Sequence, residues 1–345
     1  MSASRAVPAP AGSPDAGVPW HHGDPHAEQR SLAARAGAVD LSHRNVLVVS
    51  GPDRLQWLHD LTTAHLAGLG PGQSRLALIL SPHGHVEHEL HLVDDGHQTW
   101  IGVEPGTGPA LRSYLESMRF LLRVEVVERP DIAIVWQPLA ELDADGHPTW
   151  LVPGDYREGG EPTPAGSDRG GGAMRYVLER PADFTGREVF LPRDLLGERL
   201  ASSGPPVGTW ALEALRVAAA VPRLGFETDH RTLPHEVGWI GAAVHLAKGC
   251  YRGQEAVARV HNLGRPPRRL ALAHIDGSAE VLPAHADEVL VDEQVVGWVG
   301  SAARHHELGP IATVVVKRSV DPAADMVIRT PMGDVAAAQQ VVVVA

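Results

Sequence analysis

The chain has 345 residues, 43% of them hydrophobic, and its formal net charge at pH 7 is −12. This length and composition fit two or three globular domains and exclude a chain that is disordered throughout. The negative charge argues against a broad nucleic-acid-binding surface, although a local basic patch stays open.

The cysteine content and the apolar runs indicate a compartment. A single cysteine permits no internal disulfide, and no iron–sulfur cluster held by the usual four thiolates of this chain alone. No apolar run reaches the roughly 18 residues of a membrane span, and no apolar segment follows basic residues at the N-terminus as in a secretory signal. We therefore expect a cytoplasmic protein that does not enter a membrane.

The first 60 residues predict a tail followed by three short elements. Residues 1–18 are rich in Ala, Pro, Gly and Ser, which is typical of a disordered tail. Asp24 followed by Pro25 predicts the N-cap and first turn of a helix that ends near residue 36. A strand is predicted over residues 46–49 and a helix over residues 55–61.

A β-hairpin is predicted next, with strands at 76–80 and 86–93 around a Pro-Gly turn. Alternation along the second strand places His88 on the apolar face, where it is either a core histidine bonded to backbone or part of a ligand cavity. The other face carries His85, Glu87, Glu89 and His91. Because their spacing matches no metal site, a solvated strand face is the preferred interpretation there.

The middle of the chain predicts a ferredoxin-like α+β lobe, because strands alternate with a helix in a β-β-α-β order. The predicted elements are strands at 99–104, 124–127, 132–136 and 176–179, and helices at 109–121, 191–200 and 210–218. Residues 154–172 are rich in Gly, Pro, Glu and Asp and predict a mobile loop. Arg216, on the last helix, either orients an anionic group or is an ordinary surface arginine.

Short β runs dominate the end of the chain and predict a small antiparallel barrel. They lie at 270–275, 288–291, 294–301, 311–316 and 339–344. A basic, proline-containing hinge over residues 262–269 precedes them, so a domain boundary is placed between residues 264 and 265.

The only cysteine lies in a segment whose eight residues are all informative: Lys248, Gly249, Cys250, Tyr251, Arg252, Gly253, Gln254 and Glu255. Glycines flank Cys250 on both sides, two cations lie within two residues, and a predicted helix begins at Glu255. Positive neighbours and a helix N-terminus favour a thiolate, which makes Cys250 a candidate nucleophile or transient metal ligand. The alternative is a buried cysteine that packs as a small hydrophobe.

This segment resembles the K-G-C-Y-x-G-Q-E signature of the YgfZ-type folate-binding proteins, relatives of the glycine-cleavage T-protein (an aminomethyltransferase) and of an iron–sulfur assembly factor. The resemblance covers most of the chain after about residue 20. Asp40, Ser42 and His43 followed by the segment 49–53 resemble the opening of the T-protein superfamily, and residues 297–301 resemble its C-terminal barrel.

The resemblance implies an α+β fold, with intertwined ferredoxin-like lobes over residues 19–264 that form a folate cavity, and a C-terminal antiparallel β-barrel over residues 265–345. It implies tetrahydrofolate or a derivative as cofactor. His88 stands where T-proteins carry a catalytic aspartate, so classical aminomethyltransferase activity is not expected. The candidate folate contacts are His88, Arg216, Trp239, Lys248 and Tyr251, and Lys248, Arg252, Arg265, Arg268 and Arg269 are candidates for a basic rim that steers folate.

Three functions remain after these observations. The first is a folate-binding protein that supports assembly or repair of iron–sulfur clusters in client enzymes, including tRNA-modifying enzymes, with Cys250 as a transient ligand and no stable metal site. Its partners would be folate and iron–sulfur client or assembly proteins. The second is a folate-dependent one-carbon (aminomethyl) transferase. The third is a thiol redox protein, which would need a resolving thiol from another molecule. The sequence leaves open the folate form, the clients, whether a reaction is catalysed, and the oligomeric state.

Overall fold

The computed structural model describes residues 6–10, 12–139, 146–153, 177–178, 182, 184–262 and 265–344. The chain divides into two compact units. The first consists of Met1–Leu78, His88–Pro153 and Thr185–Leu215, and the second of Ile79–Glu87, Gly154–Phe184 and Arg216–Ala345. The predicted mobile loop at 154–172 lies outside the described residues.

The secondary structure is mixed. The strands are β1 (Val7–Pro8), β2 (Pro19–His21), β3 (Ala38–Asp40), β4 (Asn45–Ser50), β5 (Ser74–Leu80), β6 (Val86–Asp94), β7 (Gln98–Val103), β8 (Glu125–Glu128), β9 (Ile132–Pro138), β10 (Thr149–Leu151), β11 (Val177–Leu178), β12 (Gly186–Pro192), β13 (Pro206–Val207), β14 (Arg268–Ile275), β15 (Glu288–Val291), β16 (Gln294–His305), β17 (Gly309–Lys317), β18 (Met326–Thr330), β19 (Gly333–Val341) and β20 (Val343–Val344). The α-helices are α1 (Pro25–Ala33), α2 (Arg54–Leu61), α3 (Gly108–Ser117), α4 (Leu196–Ser202), α5 (Thr209–Ala218) and α6 (Gln254–Asn262). None of these helices is long and apolar enough to cross a membrane.

The first unit is built on two five-stranded sheets, ordered β10-β12-β9-β3-β13 and β5-β6-β7-β4-β8. Strands β9 and β12 are almost fully buried, and Ala38, Val135, Val189 and Leu191 form a core cluster on their sheet. Leu196 and Leu200 of α4 pack against this cluster, so the apolar side of the helix faces the sheet. Together with the barrel below, these sheets confirm the predicted α+β class.

The second unit contains a closed barrel with the strand order β14-β17-β16-β15-β18-β19. All of its strand pairs are antiparallel. Small and β-branched side chains fill the interior, as a narrow barrel requires, and the inward residues include Ala271, Val289 and Val314. The predicted antiparallel barrel is therefore confirmed, although the compact unit that contains it already begins at Arg216.

In residues 6–10 and 12–18, the described part of the predicted disordered tail, the structure differs from that prediction. Strand β1 pairs with β2, the side chain of Val18 is buried, and Asp15 Oδ1 lies 3.0 Å from His43 Nε2. A tail composition was misleading here because one buried aliphatic residue and one shielded ion pair are enough to fix a short segment.

The predicted helix over residues 191–200 starts two residues too early. Residues Gly186–Pro192 form β12, a strand that the sequence did not predict, a 3-10 helix follows over Arg193–Leu195, and α4 starts at Leu196. Its sequence, Gly-Arg-Glu-Val-Phe-Leu-Pro, gives strand β12 neither the strict alternation of a half-buried strand nor an apolar run long enough to indicate a fully buried one. Pro192 is the last residue of the strand and is itself still extended, with a backbone ψ of 135°.

Candidate functional site

The cysteine segment forms a loop that leads into α6, and Cys250 is exposed on it. The residues around Cys250 are less accessible, because Lys248 and Tyr251 are both more than nine-tenths buried. The interpretation of Cys250 as a buried packing residue is therefore wrong. The loop therefore buries the side chains of Lys248 and Tyr251 and leaves the thiol of Cys250 in contact with solvent.

Gly253 fixes this loop against the turn between β5 and β6. Its φ is +83°, and a Cβ added there would lie 2.5 Å from the carbonyl oxygen of Ser81. Gly84, at the turn, has a φ of +79°, and a Cβ there would lie 2.8 Å from Cβ of Ala256. Only glycine allows two backbones to approach this closely, so both positions are used for the contact.

Gly249 has a different environment from Gly253. A Cβ added at Gly249 would meet no atom within 4 Å. The two glycines of the motif therefore differ, since the space beside Gly249 is open and the space at Gly253 is taken by the turn.

Side-chain contacts close the loop further. Gln254 Nε2 donates a hydrogen bond to the carbonyl of Lys248 at 3.2 Å, so the amide at the start of α6 ties the loop to itself. Glu255, in the first turn of α6, is exposed. Arg252 Nη1 lies 3.0 Å from Glu87 Oε2, a partly exposed ion pair at the base of the hairpin turn.

The two cations of the motif have partners other than the thiol. The ammonium of Lys248 lies 5.2 Å from the ring centroid of Tyr251, a cation–π distance. Arg252 is directed to Glu87. Burial raises the pKa of Tyr251 to about 12, so its phenol stays protonated and the ring keeps a neutral face for the ammonium.

His88 lies on the face of β6 that also carries Leu90 and Leu92, as the alternation predicts. It is half-buried, and its ring centroid lies 6.1 Å from that of Tyr114 on α3, with the planes tilted by 41°. The leucines beside it are fully buried. The imidazole of His88 is therefore only partly covered, in a row whose leucines are closed to solvent.

Arg216 and Trp239, both predicted as candidate folate contacts, are buried in the second unit. Arg216 is 5% exposed, and its guanidinium donates to the carbonyl of Val221 and to Oγ of Ser301, both at 2.6 Å. The alternative of an ordinary surface arginine is therefore wrong. Trp239 is fully buried, and its Nε1–H has no acceptor among the described residues.

Two members of the predicted basic rim are structural residues. Arg268 is held between Asp229 and Glu236, with N–O distances of 2.8 Å to each, and this contact lowers the pKa of Asp229 although burial alone would raise it. Arg269 is 5% exposed and donates to the carbonyl oxygens of Arg318 and Val320. The rim prediction is wrong for these two positions, whereas Arg265 is exposed.

The sequence missed a buried ion cluster in the first unit. His91 Nδ1 lies 2.8 Å from Glu188 Oε2 and its Nε2 lies 3.6 Å from Glu89 Oε1, while its ring stacks on Trp150 at a centroid distance of 3.8 Å. Arg44 Nη1 also contacts Glu188, at 2.7 Å. Burial alone lowers the pKa of His91, but the two carboxylates outweigh it and raise the pKa to about 9.

This cluster overturns the interpretation of the Glu89–His91 face of β6 as solvated. Strand alternation identifies which residues share a face but not what covers that face. Here Glu188 of β12 and Trp150 of β10 cover it. In the part of the chain that the structure describes, no group of three or more His, Cys, Asp or Glu side chains is arranged to hold a metal ion.

Comparisons with known proteins agree on one class. The chain is 26% identical to an aminomethyltransferase of Streptomyces avermitilis, over 87% of this chain and 83% of that protein. It is 27% identical to an aminomethyltransferase of Pelodictyon phaeoclathratiforme, over 85% of this chain and 82% of that protein. The chain is similar to aminomethyltransferases over most of its length.

A solved structure supports the same assignment at the level of the fold. The glycine cleavage system aminomethyltransferase T from Bartonella henselae superposes with a TM-score of 0.72, covering 97% of this chain and 92% of that one, at 19% identity. No protein-family model matches the chain. The fold is therefore T-protein-like, and the sequence similarities support the T-protein-like superfamily.

Proposed function

We propose that this protein is a folate-binding, T-protein-like protein that supports assembly or repair of iron–sulfur clusters in client enzymes, including tRNA-modifying enzymes. The observation that carries the proposal is the presentation of Cys250. The thiol is exposed, whereas Lys248 and Tyr251 beside it are buried and Gly253 anchors the loop. A loop built in this way offers one sulfur ligand or nucleophile to a partner molecule.

The tetrahydrofolate part of the proposal is compatible with the residues present. Lys248 with Tyr251 combines a cationic nitrogen donor with an aromatic face, which suits the carboxylates and the aromatic rings of a folate. The buried Nε1–H of Trp239 is a donor for which the described residues offer no acceptor. When bound, tetrahydrofolate would supply a carrier for one-carbon groups.

The role of Cys250 in this proposal is transient. One thiolate cannot hold a cluster that ordinarily takes four, so the client or an assembly protein must supply the remaining ligands. The protein's own contribution is then to bind folate, to present the thiol at a fixed place, and to leave the space beside Gly249 open for the client.

Replacement of Cys250 tests the cluster function directly. In cells that lack the gene, wild type is expected to restore the activity of iron–sulfur enzymes, while Cys250→Ser and Cys250→Ala are expected to restore none. Because Cys250 is exposed, both variants should keep the melting temperature of the wild type within about 2 °C. Met332→Ser changes another exposed side chain and serves as the matched control, with full restoration expected. Full restoration by both cysteine variants would contradict the proposal.

Folate binding is testable with the purified protein. Titration with tetrahydrofolate in a calorimeter is expected to show saturable binding. The affinity should fall from low to high salt, because cations such as Lys248 would meet the folate carboxylates. Lys248→Met keeps most of the side-chain volume and should raise the dissociation constant by about tenfold or more. Lys317→Met makes the same change at an exposed position at the end of β17, outside the predicted rim, and is the control. Absence of saturable binding would refute this part of the proposal.

A second candidate function is a folate-dependent aminomethyl transferase, which the similarity to aminomethyltransferases favours. Against it, we expect His88 to stand at the position of the catalytic aspartate of T-proteins, and an imidazole, neutral or protonated, cannot supply the fixed negative charge of a carboxylate.

We expect aminomethyltransferase turnover far below that of a T-protein when the protein is supplied with glycine-cleavage partner proteins, aminomethyl-lipoate carrier and tetrahydrofolate. Electrostatic stabilisation of this kind is typically worth several kcal/mol, so its loss should lower the rate by about 100-fold or more. Turnover comparable to that of a T-protein assayed alongside would make the transferase the leading function.

A further inference from the structure

The first unit carries a cluster of exposed apolar side chains between the end of α3 and β8. Phe120 is 89% exposed and Leu121 is 87% exposed. Met118, Leu122 and Val127 beside them in the chain are each at least 40% exposed. We call these five residues the apolar patch. Scattered apolar residues are ordinary on a protein surface, whereas a contiguous group of this kind marks an interaction site.

The backbone at the patch is held in an unfavourable conformation. Helix α3 ends at Ser117, before the predicted Leu121, and Phe120 has a φ of +46°. A left-handed conformation costs free energy for a bulky side chain, and here the side chain gains almost no burial within the chain to offset it. An outlier of this kind at an exposed aromatic residue points to a function outside the isolated chain.

The charges around the patch are balanced. Arg112 pairs with Glu116 and Arg123 pairs with Asp53, each at 2.8 Å, and Arg119 and Glu125 are exposed with opposite charge. An anionic membrane would require a clear positive excess, which this rim lacks in a protein of net charge −12. A rim with both signs can complement itself across a two-fold axis.

The area is also sufficient for a second copy. The exposed parts of the five side chains amount to roughly 500 Å², given that a large apolar side chain presents about 150–250 Å². Two patches in contact would remove about 1,000 Å² from water, and the charged rim would bring the total near the roughly 1,200 Å² at which stable interfaces begin.

We propose that the apolar patch is a self-association surface, and that two copies of this chain meet there in a symmetric dimer centred on Phe120 and Leu121. The association uses side chains and not strand addition. The adjacent strand β8 is the edge of its sheet, but it carries Glu125 and Glu128, which would oppose like charges in a strand paired with itself.

Sedimentation equilibrium of the full chain, over a wide range of concentration and with a reductant to prevent disulfides through Cys250, tests this proposal. Wild type is expected to show a monomer–dimer equilibrium. Phe120→Asn combined with Leu121→Ser is expected to raise the dimer dissociation constant by about tenfold or more, because central apolar residues dominate such interfaces. Asparagine tolerates positive φ, so the fold should be retained. Leu121→Ser alone, which leaves the backbone of residue 120 untouched, should weaken the dimer in the same direction.

Met332→Ser is the matched control. Met332 is 82% exposed at the turn between β18 and β19, outside the patch, and its replacement should leave the dissociation constant unchanged. A wild type that is monomeric at every concentration would overturn the proposal. The patch would then be covered by another protein or by another segment of this chain. Equal weakening by Met332→Ser, or a dimer insensitive to both patch variants, would overturn it as well.

Discussion

Glu188→Gln is expected to lower the free energy of unfolding by about 3–5 kcal/mol at pH 6.5, the usual effect of removing one partner from a buried ion pair. Glu188 is 3% exposed and lies between His91 and Arg44, at 2.8 Å and 2.7 Å. Without its charge, Arg44 keeps Glu104 at 2.9 Å, but His91 keeps only the more distant Glu89. Urea denaturation of both proteins measures the difference.

The pH dependence of stability gives a second readout of the same cluster. The pKa of His91 is raised in the folded protein to about 9 from its ordinary value of 6.5. The stability that protonated His91 contributes is therefore fully present below pH 6.5 and is lost as pH rises through about 9. Since one pKa unit corresponds to about 1.4 kcal/mol, wild type should lose a few kcal/mol over this interval.

Glu188→Gln should remove most of this pH dependence, because burial alone lowers the pKa of His91. Glu116→Gln is the control. It breaks the exposed pair with Arg112, and a change below about 1 kcal/mol with an unaltered pH profile is expected. Parallel profiles of wild type and Glu188→Gln between pH 6.5 and 9 would show that His91 is not held protonated by Glu188.

Gly253→Ala is expected to destabilise the protein by about 2–4 kcal/mol, the combined effect of a left-handed residue and a steric overlap. The overlap is with backbone, since the new Cβ would lie 2.5 Å from the carbonyl oxygen of Ser81. The turn and the cysteine loop must then separate. We also expect faster hydrogen exchange at the amides of Cys250 and Tyr251.

Gly249→Ala is the natural comparison, since it makes the same change four residues away in open space. A stability within about 0.5 kcal/mol of wild type is expected for it. If Gly253→Ala were as mild as Gly249→Ala, the close contact between the loop and the turn would not contribute to stability.

The sequence predicted those elements in which a local pattern is sufficient. The alternation over β6, the helical spacing in α3 and the short runs of the barrel each have a period that local residues reveal. Strand β12 has no such period, because it lies between β9 and β10 and is covered on both faces. The order of strands within the sheets depends on contacts between distant segments, which no local pattern records.

The candidate site shows the same limit at the level of single residues. The motif around Cys250 pointed to this segment from sequence alone, but not to the close contact that Gly253 makes. What separates Gly249 from Gly253 is the turn at Ser81, which is remote in sequence. The sequence predicts Arg268 and Arg269 as part of an exposed basic hinge for a similar reason. Their partners Glu236 and Val320 lie in other segments of the chain, so the local sequence does not reveal them.

The exposed position of Cys250 also allows the natural protein to be labelled at a single site. Because the chain has no other cysteine, a maleimide fluorophore or nitroxide will attach at one site without any prior mutagenesis. Its signal would report the motion of the motif loop alone, and changes on adding folate or a client protein could be followed in real time against an otherwise unmodified background.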